Sequence, residues 1–240
     1  MSALAIEASL AAESARIRAE YARRDREVPA DLWAPWQPAA RFLVSRRNAL
    51  GARLLHACGA FPGLGDRCLE IGCGSGGWLG ELISWGVAEP DLAGIDLDLR
   101  RIERARRTLP GADLVHGDAS ALPWPSGRFA LVIASTVASS VLSALMRRAI
   151  AREMARVLRP GGALLWYDLV LPNPANRAVQ PISRAELATL FPGFRAVVRR
   201  TTLAAPLARW VVPKSEALAS MLEACPWLRT HLLAVLTRED

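Results

Sequence analysis

A cluster of glycines beside two carboxylates is the part of the sequence best suited to chemistry. Residues 69–79 read LEIGCGSGGWL, and a short apolar run leads into the glycines while a helical stretch follows them. Glycines at such a junction let the backbone turn sharply and approach a ligand, which then meets N–H groups at the start of the helix. Asp96 ends the next apolar run, where a carboxylate is able to accept both hydroxyls of a ribose. The segment therefore predicts a nucleotide-like ligand.

The glycine spacing alone leaves two kinds of ligand open. Gly72, Gly74 and Gly77 satisfy the G-x-G-x-x-G fingerprint of dinucleotide sites. Glu70 stands two residues before the first glycine, where a carboxylate suits a cationic amino-acid group and repels a pyrophosphate. A nicotinamide-dependent oxidoreductase stays an alternative, although the sequence holds no Tyr-x-x-x-Lys pair to support it.

Alternating elements position this loop. Short apolar runs are found at residues 67–72, 91–96, 112–117, 129–135 and 163–171, and strand-like segments follow at 194–203 and 229–237. Helical patterns separate the first five runs, which predicts a parallel sheet covered on both faces, and the last two segments predict an antiparallel pair. The PGG sequence at 160–162 is expected to end a helix that runs to about Leu158. Two helices precede the sheet, with a break at residues 28–38, and an insert at 204–228 lacks the usual crossover helix.

Composition excludes several classes of protein. Of 240 residues 52% are hydrophobic and 22% charged, as in an ordinary globular chain, and the net charge of +7 comes from 29 Arg and the single Lys214 against 23 acids. The cysteines form no CxxC pair and have no histidine at the spacing of metal ligands, so neither a metal site nor a disulfide framework is expected. Serines interrupt the apolar stretch 129–146, so we expect no membrane span, and the N-terminus lacks a signal peptide. We expect a cytoplasmic protein.

Residues 67–171 resemble the class I S-adenosylmethionine (SAM)-dependent methyltransferases, in particular the small-molecule, methyltransferase type 11-like branch. The resemblance rests on the E-x-G-x-G-x-G sequence from Glu70, on Asp96, on Gly117-Asp118-Ala119 after the third strand, and on LRPGG before the fifth. It implies an α/β fold with a Rossmann-like seven-stranded sheet, mostly parallel with an antiparallel last strand beside the fifth. Helices cover both faces, and an N-terminal helical extension precedes the sheet.

The same resemblance implies a set of cofactor contacts, with SAM as methyl donor and S-adenosylhomocysteine as product. The residues that border its methionine part are Glu70, Gly72, Cys73, Gly74 and Gly76. Asp96 is expected to hold the ribose and Leu97 to lie against the adenine. Asp118 and Ala119 are expected to face the adenine edge, and Ser135 to line the floor beneath the sulfonium.

The acceptor site is predicted from the sheet edge. Asp168 ends the fifth strand, and in open α/β sheets ligands lie at the carboxyl ends of the strands. An antiparallel last strand beside the fifth begins at that edge with Arg229-Thr230-His231, so the sequence predicts a His231–Asp168 pair acting as general base. A purely structural hydrogen bond, or no contact between the two residues, is the alternative. The further candidates for contact with the acceptor are Tyr21, Trp36, Tyr167 and Asn173. On the helix that leads into the sheet, Arg41, Arg46 and Arg47 are interpreted mainly as a solvated face, and contact with an anionic acceptor or with the methionine carboxylate is the alternative.

The predicted organisation is a helical extension and lid at residues 1–60 and a methyltransferase core at 61–240, with the 204–228 insert covering the acceptor. The expected reaction is methyl transfer to an oxygen or nitrogen of a small molecule, in bacterial natural-product or glycan biosynthesis. A SAM-binding protein without turnover is the second alternative. Basic-aromatic repeats are absent, so no nucleic-acid partner is expected. The oligomeric state is not indicated.

Overall fold

The computed structural model describes residues 2–29, 31–172 and 176–238, and its centre is a seven-stranded sheet. The strands are β1 (Cys68–Ile71), β2 (Leu92–Asp96), β3 (Asp113–His116), β4 (Phe129–Ser135), β5 (Leu158–Leu169), β6 (Phe194–Leu203) and β7 (Arg229–Arg238). Their order across the sheet is β3-β2-β1-β4-β5-β7-β6. The first five strands are parallel, and β7 lies antiparallel between β5 and β6. The predicted fold class is confirmed.

Helices cover both faces of the sheet, as expected for parallel strands that are apolar on both sides. They are α1 (Ala3–Glu27), α2 (Pro38–Ala57), α3 (Gly77–Ser84), α4 (Leu99–Thr108), α5 (Ala144–Val157), α6 (Arg184–Leu190), α7 (Ala205–Val211) and α8 (Glu216–Ala224). Apolar residues of α2, α3 and α4 pack on one face, and those of α1, α5 and α6 pack on the other. Among the described residues, no helix is both long enough and apolar enough to cross a bilayer.

Two stretches differ from the sequence-based expectation. The LRPGG sequence was expected to lie before the fifth strand, but it forms the first part of β5, which pairs with β4 from Leu158 onward. The pairing has a register shift in this region, and Gly161 has a φ of 70°. The insert forms the helices α7 and α8. Proline occupies the first turn of α7, where a missing N–H costs nothing, and the Ser215 side chain accepts the N–H of Leu218 at the start of α8. In this insert the proline and the serine stabilise the first turns of helices.

Helix α1 crosses the carboxyl edge of the sheet. The Glu13 carboxylate accepts the backbone N–H groups of Leu142 and Ser143, next to the start of α5. Near the other end of α1, Asp25 pairs with Arg100 of α4 at 2.7 Å. Because α4 and α5 flank opposite faces of the sheet, α1 spans the edge between them.

The central strands leave no room for a side chain at Gly94. A Cβ there lies 2.8 Å from Cys73 Sγ and 3.0 Å from Leu114 Cδ2. We expect Gly94→Ala to lower the free energy of unfolding by about 1–3 kcal/mol through overpacking. Gly80→Ala, in an exposed and open position of α3, is the matched control and should raise it by about 0.5–1 kcal/mol. Urea unfolding measures both, and a neutral Gly94→Ala would contradict the packing described here.

Candidate functional site

The glycine loop between β1 and α3 is closed so tightly that two of its positions need glycine. Gly72 has a φ of 64°, and a Cβ there lies 2.7 Å from Val137 Cγ2. Gly76 precedes α3 with a φ of 87°, and a Cβ there lies 2.8 Å from Leu109 Cδ1. Any side chain at these positions displaces the loop from the strand ends. The loop therefore presents bare backbone to the carboxyl edge of the sheet.

Asp96 holds this loop from the end of β2. One oxygen of its carboxylate accepts the N–H of Gly74 at 2.8 Å, and the other accepts that of Asp98 at 2.8 Å. Burial raises the pKa of Asp96, and these two N–H groups oppose the rise. The carboxylate is thus fixed in orientation, and its remaining lone pairs are available to hydroxyl groups of a ligand.

Glu70, in β1, is a buried carboxylate short of partners. The N–H groups of Trp78 and Leu79 at the start of α3 favour its charged form, but within the described part of the chain Oε2 has no hydrogen-bond partner. Burial, aided by the Asp96 charge, raises the pKa of Glu70 to about 8 against the opposing effect of the Arg47 charge. A buried carboxylate with a free oxygen favours a cationic ligand group. The ammonium of a methionine moiety is such a group, so the residues present fit SAM.

One cavity joins most of the predicted cofactor residues. Its lining includes residues from the ends of β1, β2, β3 and β4, namely Gly72, Asp96, Leu97, Asp118, Ala119 and Ser135. Ile17 and Tyr21 of α1 complete it from above, and the Arg101 guanidinium lies 4.4 Å from the Tyr21 ring centroid. Glu70, Cys73, Gly74 and Gly76 do not line this cavity. The N–H of Cys73 donates to Ile95 O at 3.0 Å, and its side chain packs against Gly94.

Ser14 of α1 is a site residue that sequence reasoning missed. Its hydroxyl donates to the Asp118 carboxylate, the group expected to face an adenine edge. The second Asp118 oxygen accepts the N–H of Ser120 at 2.8 Å. No pattern in the sequence signals the contact, because Ser14 and Asp118 lie 104 positions apart and meet only when α1 docks across the sheet edge.

The predicted His231–Asp168 pair does not form. In the register of β5 and β7, Asp168 lies opposite Leu232 and His231 lies opposite Leu169. Neighbouring positions of a strand point to opposite faces, so the two side chains are on different sides of the sheet. The Asp168 carboxylate is buried and accepts the N–H of Ser139 at 3.1 Å, on the side of α5. Burial raises the pKa of Asp168 to about 6, and its contacts with Ser139 oppose the rise.

His231 belongs instead to a stack with Tyr167 and Arg47. The Tyr167 and His231 rings are parallel with centroids 4.7 Å apart, and the Arg47 guanidinium lies 5.4 Å from the Tyr167 centroid and 4.5 Å from that of Trp78. Burial, together with the nearby Arg47 charge, lowers the pKa of His231 to about 4. Arg47, interpreted from the sequence as part of a solvated face, is half-buried beside Glu70.

Backbone strain marks the same edge. Among the described residues other than glycine, positive φ angles occur at Thr136 (57°) and Thr202 (69°). Thr136 directly follows β4, and Thr202 Oγ1 hydrogen-bonds the Tyr167 hydroxyl at 2.9 Å. For β-branched residues such angles cost about 1–3 kcal/mol and are concentrated at functional sites. They mark the places where β4 and β6 leave the sheet.

Two further candidates lie away from this edge or outside the description. Trp36 is largely exposed and does not line the cavity formed by the cofactor candidates. Asn173 lies outside the described residues. Tyr167 is buried in the stack, and its hydroxyl is engaged by Thr202.

A family match and two curated relatives all point to methyltransferases. Residues 68–162 match a protein family described as a methyltransferase domain. The chain is 37% identical over 118 residues to phthiotriol/phenolphthiotriol dimycocerosates methyltransferase 1 of Mycobacterium ulcerans, covering 48% of this chain and 41% of that protein. It is 36% identical over 124 residues to a fatty-acid O-methyltransferase of Mycolicibacterium smegmatis, covering 50% and 44%. The chain thus spans less than half the length of these curated relatives.

Solved structures share the fold at low sequence identity. A SAM-dependent methyltransferase from Archaeoglobus fulgidus superposes with a TM-score of 0.56 at 17% identity, covering 80% of this chain and 94% of that one. The YcgJ protein from Bacillus subtilis gives a TM-score of 0.58 at 16% identity, covering 82% and 100%.

The Glu70→Gln variant separates two effects of the carboxylate, namely the stability that it removes from the ligand-free protein and the affinity that it adds for SAM. Because the folded-state pKa of about 8 exceeds the ordinary value of 4.5, the carboxylate destabilises the fold progressively as the pH rises from 4.5 through 8. We expect Glu70→Gln to raise the melting temperature of the ligand-free protein by about 4 °C or more at pH 9, with a smaller gain towards pH 5. The same variant should bind SAM at least about tenfold more weakly.

Calorimetric titration and thermal melts across pH check both effects. Glu103→Gln, in an exposed position of α4, is the control and should leave SAM affinity unchanged. Equal SAM affinity of Glu70→Gln and the wild type would contradict the role of the carboxylate.

Proposed function

We propose that the chain, whose residues 68–162 match a methyltransferase domain, is a class I SAM-dependent methyltransferase that transfers the methyl group of SAM to an oxygen of an apolar small molecule. The observation that carries the proposal is the buried Glu70 carboxylate with its free oxygen beside the glycine loop. It suits an ammonium group and repels the pyrophosphate that a nicotinamide cofactor would bring there.

The cofactor supplies a methyl group bound to a positively charged sulfur and therefore open to nucleophilic attack. Around it the chain provides complementary groups at the strand ends. Glu70 is assigned to the ammonium and Arg47, whose charge lies close to Glu70, to the carboxylate of the methionine part. Asp96 is assigned to the ribose hydroxyls.

The adenine is assigned to the opposite end of the cavity. Leu97 offers an apolar surface, and Asp118 and Ala119 offer a carboxylate and a backbone N–H. Ser135, at the end of β4, is assigned to the floor beneath the reacting centre. Asp168 acts indirectly in this scheme, because its hydrogen bond to Ser139 fixes the segment that follows β4.

Methyl transfer requires positioning and exclusion of water more than acid–base chemistry. We assign the 1–60 extension to the lid, since Ile17 and Tyr21 of α1 already line the cavity. The 204–228 insert is assigned to covering the acceptor, because α7 begins where β6 ends at the carboxyl edge.

An apolar acceptor is supported by the relatives named above. They include a fatty-acid O-methyltransferase and a methyltransferase of phthiotriol dimycocerosates. Bacterial lipid-like natural products are the chemical class that fits best, and a nitrogen acceptor or a glycan is the less favoured reading.

His231 is the candidate that accepts a proton from an acceptor hydroxyl. With its pKa near 4, the ring is neutral at physiological pH and free to accept. Thr230 Oγ1 lies 2.9 Å from Nδ1, which leaves Nε2 for the acceptor. The parallel Tyr167 ring holds the imidazole in place.

The function is tested by methyl transfer and cofactor binding. We expect the protein, incubated with SAM and a panel of hydroxylated lipids, to yield a methyl ether or ester detectable by mass spectrometry. Thermal melts should show stabilisation by SAM and S-adenosylhomocysteine but not by NAD(P), and Asp96→Ala should weaken SAM binding by about 1–3 kcal/mol. Stabilisation by NAD(P) alone would support an oxidoreductase, and binding without turnover on any acceptor would support a non-enzymatic role.

Replacement of His231 tests the proton acceptor. His231→Ala should lower kcat about a hundredfold while leaving the Kd for SAM unchanged. Because the pKa of His231 is about 4, the wild-type rate should be flat from pH 6 upward and fall as the pH approaches 4. His56→Ala, in an exposed position of α2, is the matched control. An unchanged kcat in His231→Ala would leave the ring a packing role only.

A further inference from the structure

A small helical unit at the end of the sheet carries half of the tryptophans of the chain on its outside. The first part of α2 packs against α7 and α8 through a separate apolar cluster that includes Phe42, Leu43 and Val211. From this unit and its flanking loops project Trp33 (52% exposed), Trp36 (72%), Trp210 (64%) and Trp227 (82%). The other four tryptophans are buried or partly buried. We call these four side chains, with Arg209 and Lys214, the tryptophan surface.

Cations lie directly over two of these exposed rings. The Arg209 guanidinium is 5.1 Å from the Trp33 centroid, and Lys214 Nζ is 4.0 Å from that of Trp210. Within the described ranges neither cation pairs with a carboxylate. Arg41 and Arg46, on the neighbouring turns of α2, are by contrast neutralised by Glu216 and Glu223 of α8. The positive charge of this unit is thus concentrated beside indole rings.

Four large exposed apolar side chains on one small helical unit and its flanking loops are unusual on a protein that makes no further contact. Indole rings are apolar with one polar N–H, and they settle at the boundary between headgroups and acyl chains. Lys and Arg beside them are attracted to anionic headgroups. We propose that the tryptophan surface docks the protein on a phospholipid bilayer that carries anionic headgroups.

The tryptophan surface lies close to the edge of the sheet where the acceptor is proposed to bind. β6 ends at Leu203 and β7 begins at Arg229, so the segment that carries Trp210 and Trp227 leaves and re-enters the sheet at its carboxyl edge. His231 lies two residues into β7 at that edge. A bilayer beneath the tryptophan surface therefore lies beside the acceptor approach. The docking proposal goes beyond the proposed reaction and does not depend on it.

Sedimentation with vesicles tests the proposal on the full chain. We expect binding to vesicles of phosphatidylcholine mixed with phosphatidylglycerol, and much weaker binding to phosphatidylcholine alone. The double variant Trp210→Ala, Trp227→Ala should lower the partition coefficient at least about tenfold. Lys214→Ala should lower it about fivefold on the anionic vesicles only.

Matched variants away from the surface keep the test specific. Leu64→Ala removes a side chain that is 92% exposed at the opposite edge of the sheet, and Arg104→Ala removes an exposed charge on α4; both should bind vesicles like the wild type. Unchanged melting temperature and SAM affinity confirm that the variants fold. Wild-type protein that stays in the supernatant, or tryptophan variants that bind normally, would overturn the proposal. So would light scattering that shows a dimer lost in the double variant without vesicle binding, since the surface would then belong to a second copy.

Discussion

The site depends on two carboxylates kept buried at the ends of adjacent parallel strands. Glu70 in β1 and Asp96 at the end of β2 each have a raised pKa, and the charge of Asp96 disfavours that of Glu70. Three groups oppose this effect: the Gly74 N–H of the glycine loop donates to Asp96, and the N–H groups at the start of α3 and the Arg47 guanidinium favour the charged form of Glu70. A fold that retains such unfavourable charges in its interior gives up stability for a ligand that supplies the missing positive charge and hydroxyl groups.

The sequence was sufficient to predict the sheet because its signals are local. Each parallel strand is an apolar run bounded by turn residues, and the glycine loop carries its conformational requirement in residues such as Gly72 and Gly76. The cofactor candidates came from the family resemblance, and the topology brings those at the strand ends together, since all parallel strands end at one edge. Most of them line one cavity for that reason.

The acceptor side was harder to predict because it depends on the register between β5 and β7 and on how α1 and α2 pack against the sheet. A shift of one residue between β5 and β7 separates His231 from Asp168, and nothing in either segment fixes that register. Arg47 and Ser14 look like ordinary helix residues in the sequence, because their contacts form only when α2 and α1 pack against the sheet. The prolines of the insert read as loop signals, yet one of them stands in the first turn of α7. These contacts are tertiary, and local patterns do not encode them.

The near-exclusive use of arginine gives the molecule an unusual chemical property. With 29 arginines and a single lysine, Lys214 carries the only side-chain amine, and that amine lies over the Trp210 ring. Reductive alkylation, which keeps the positive charge on the nitrogen, therefore modifies one side chain, in the helical unit, besides the α-amino group, without any engineered cysteine. A fluorophore attached there is held against an indole, an efficient electron donor, so its emission reports directly on whether that ring stays stacked or turns away.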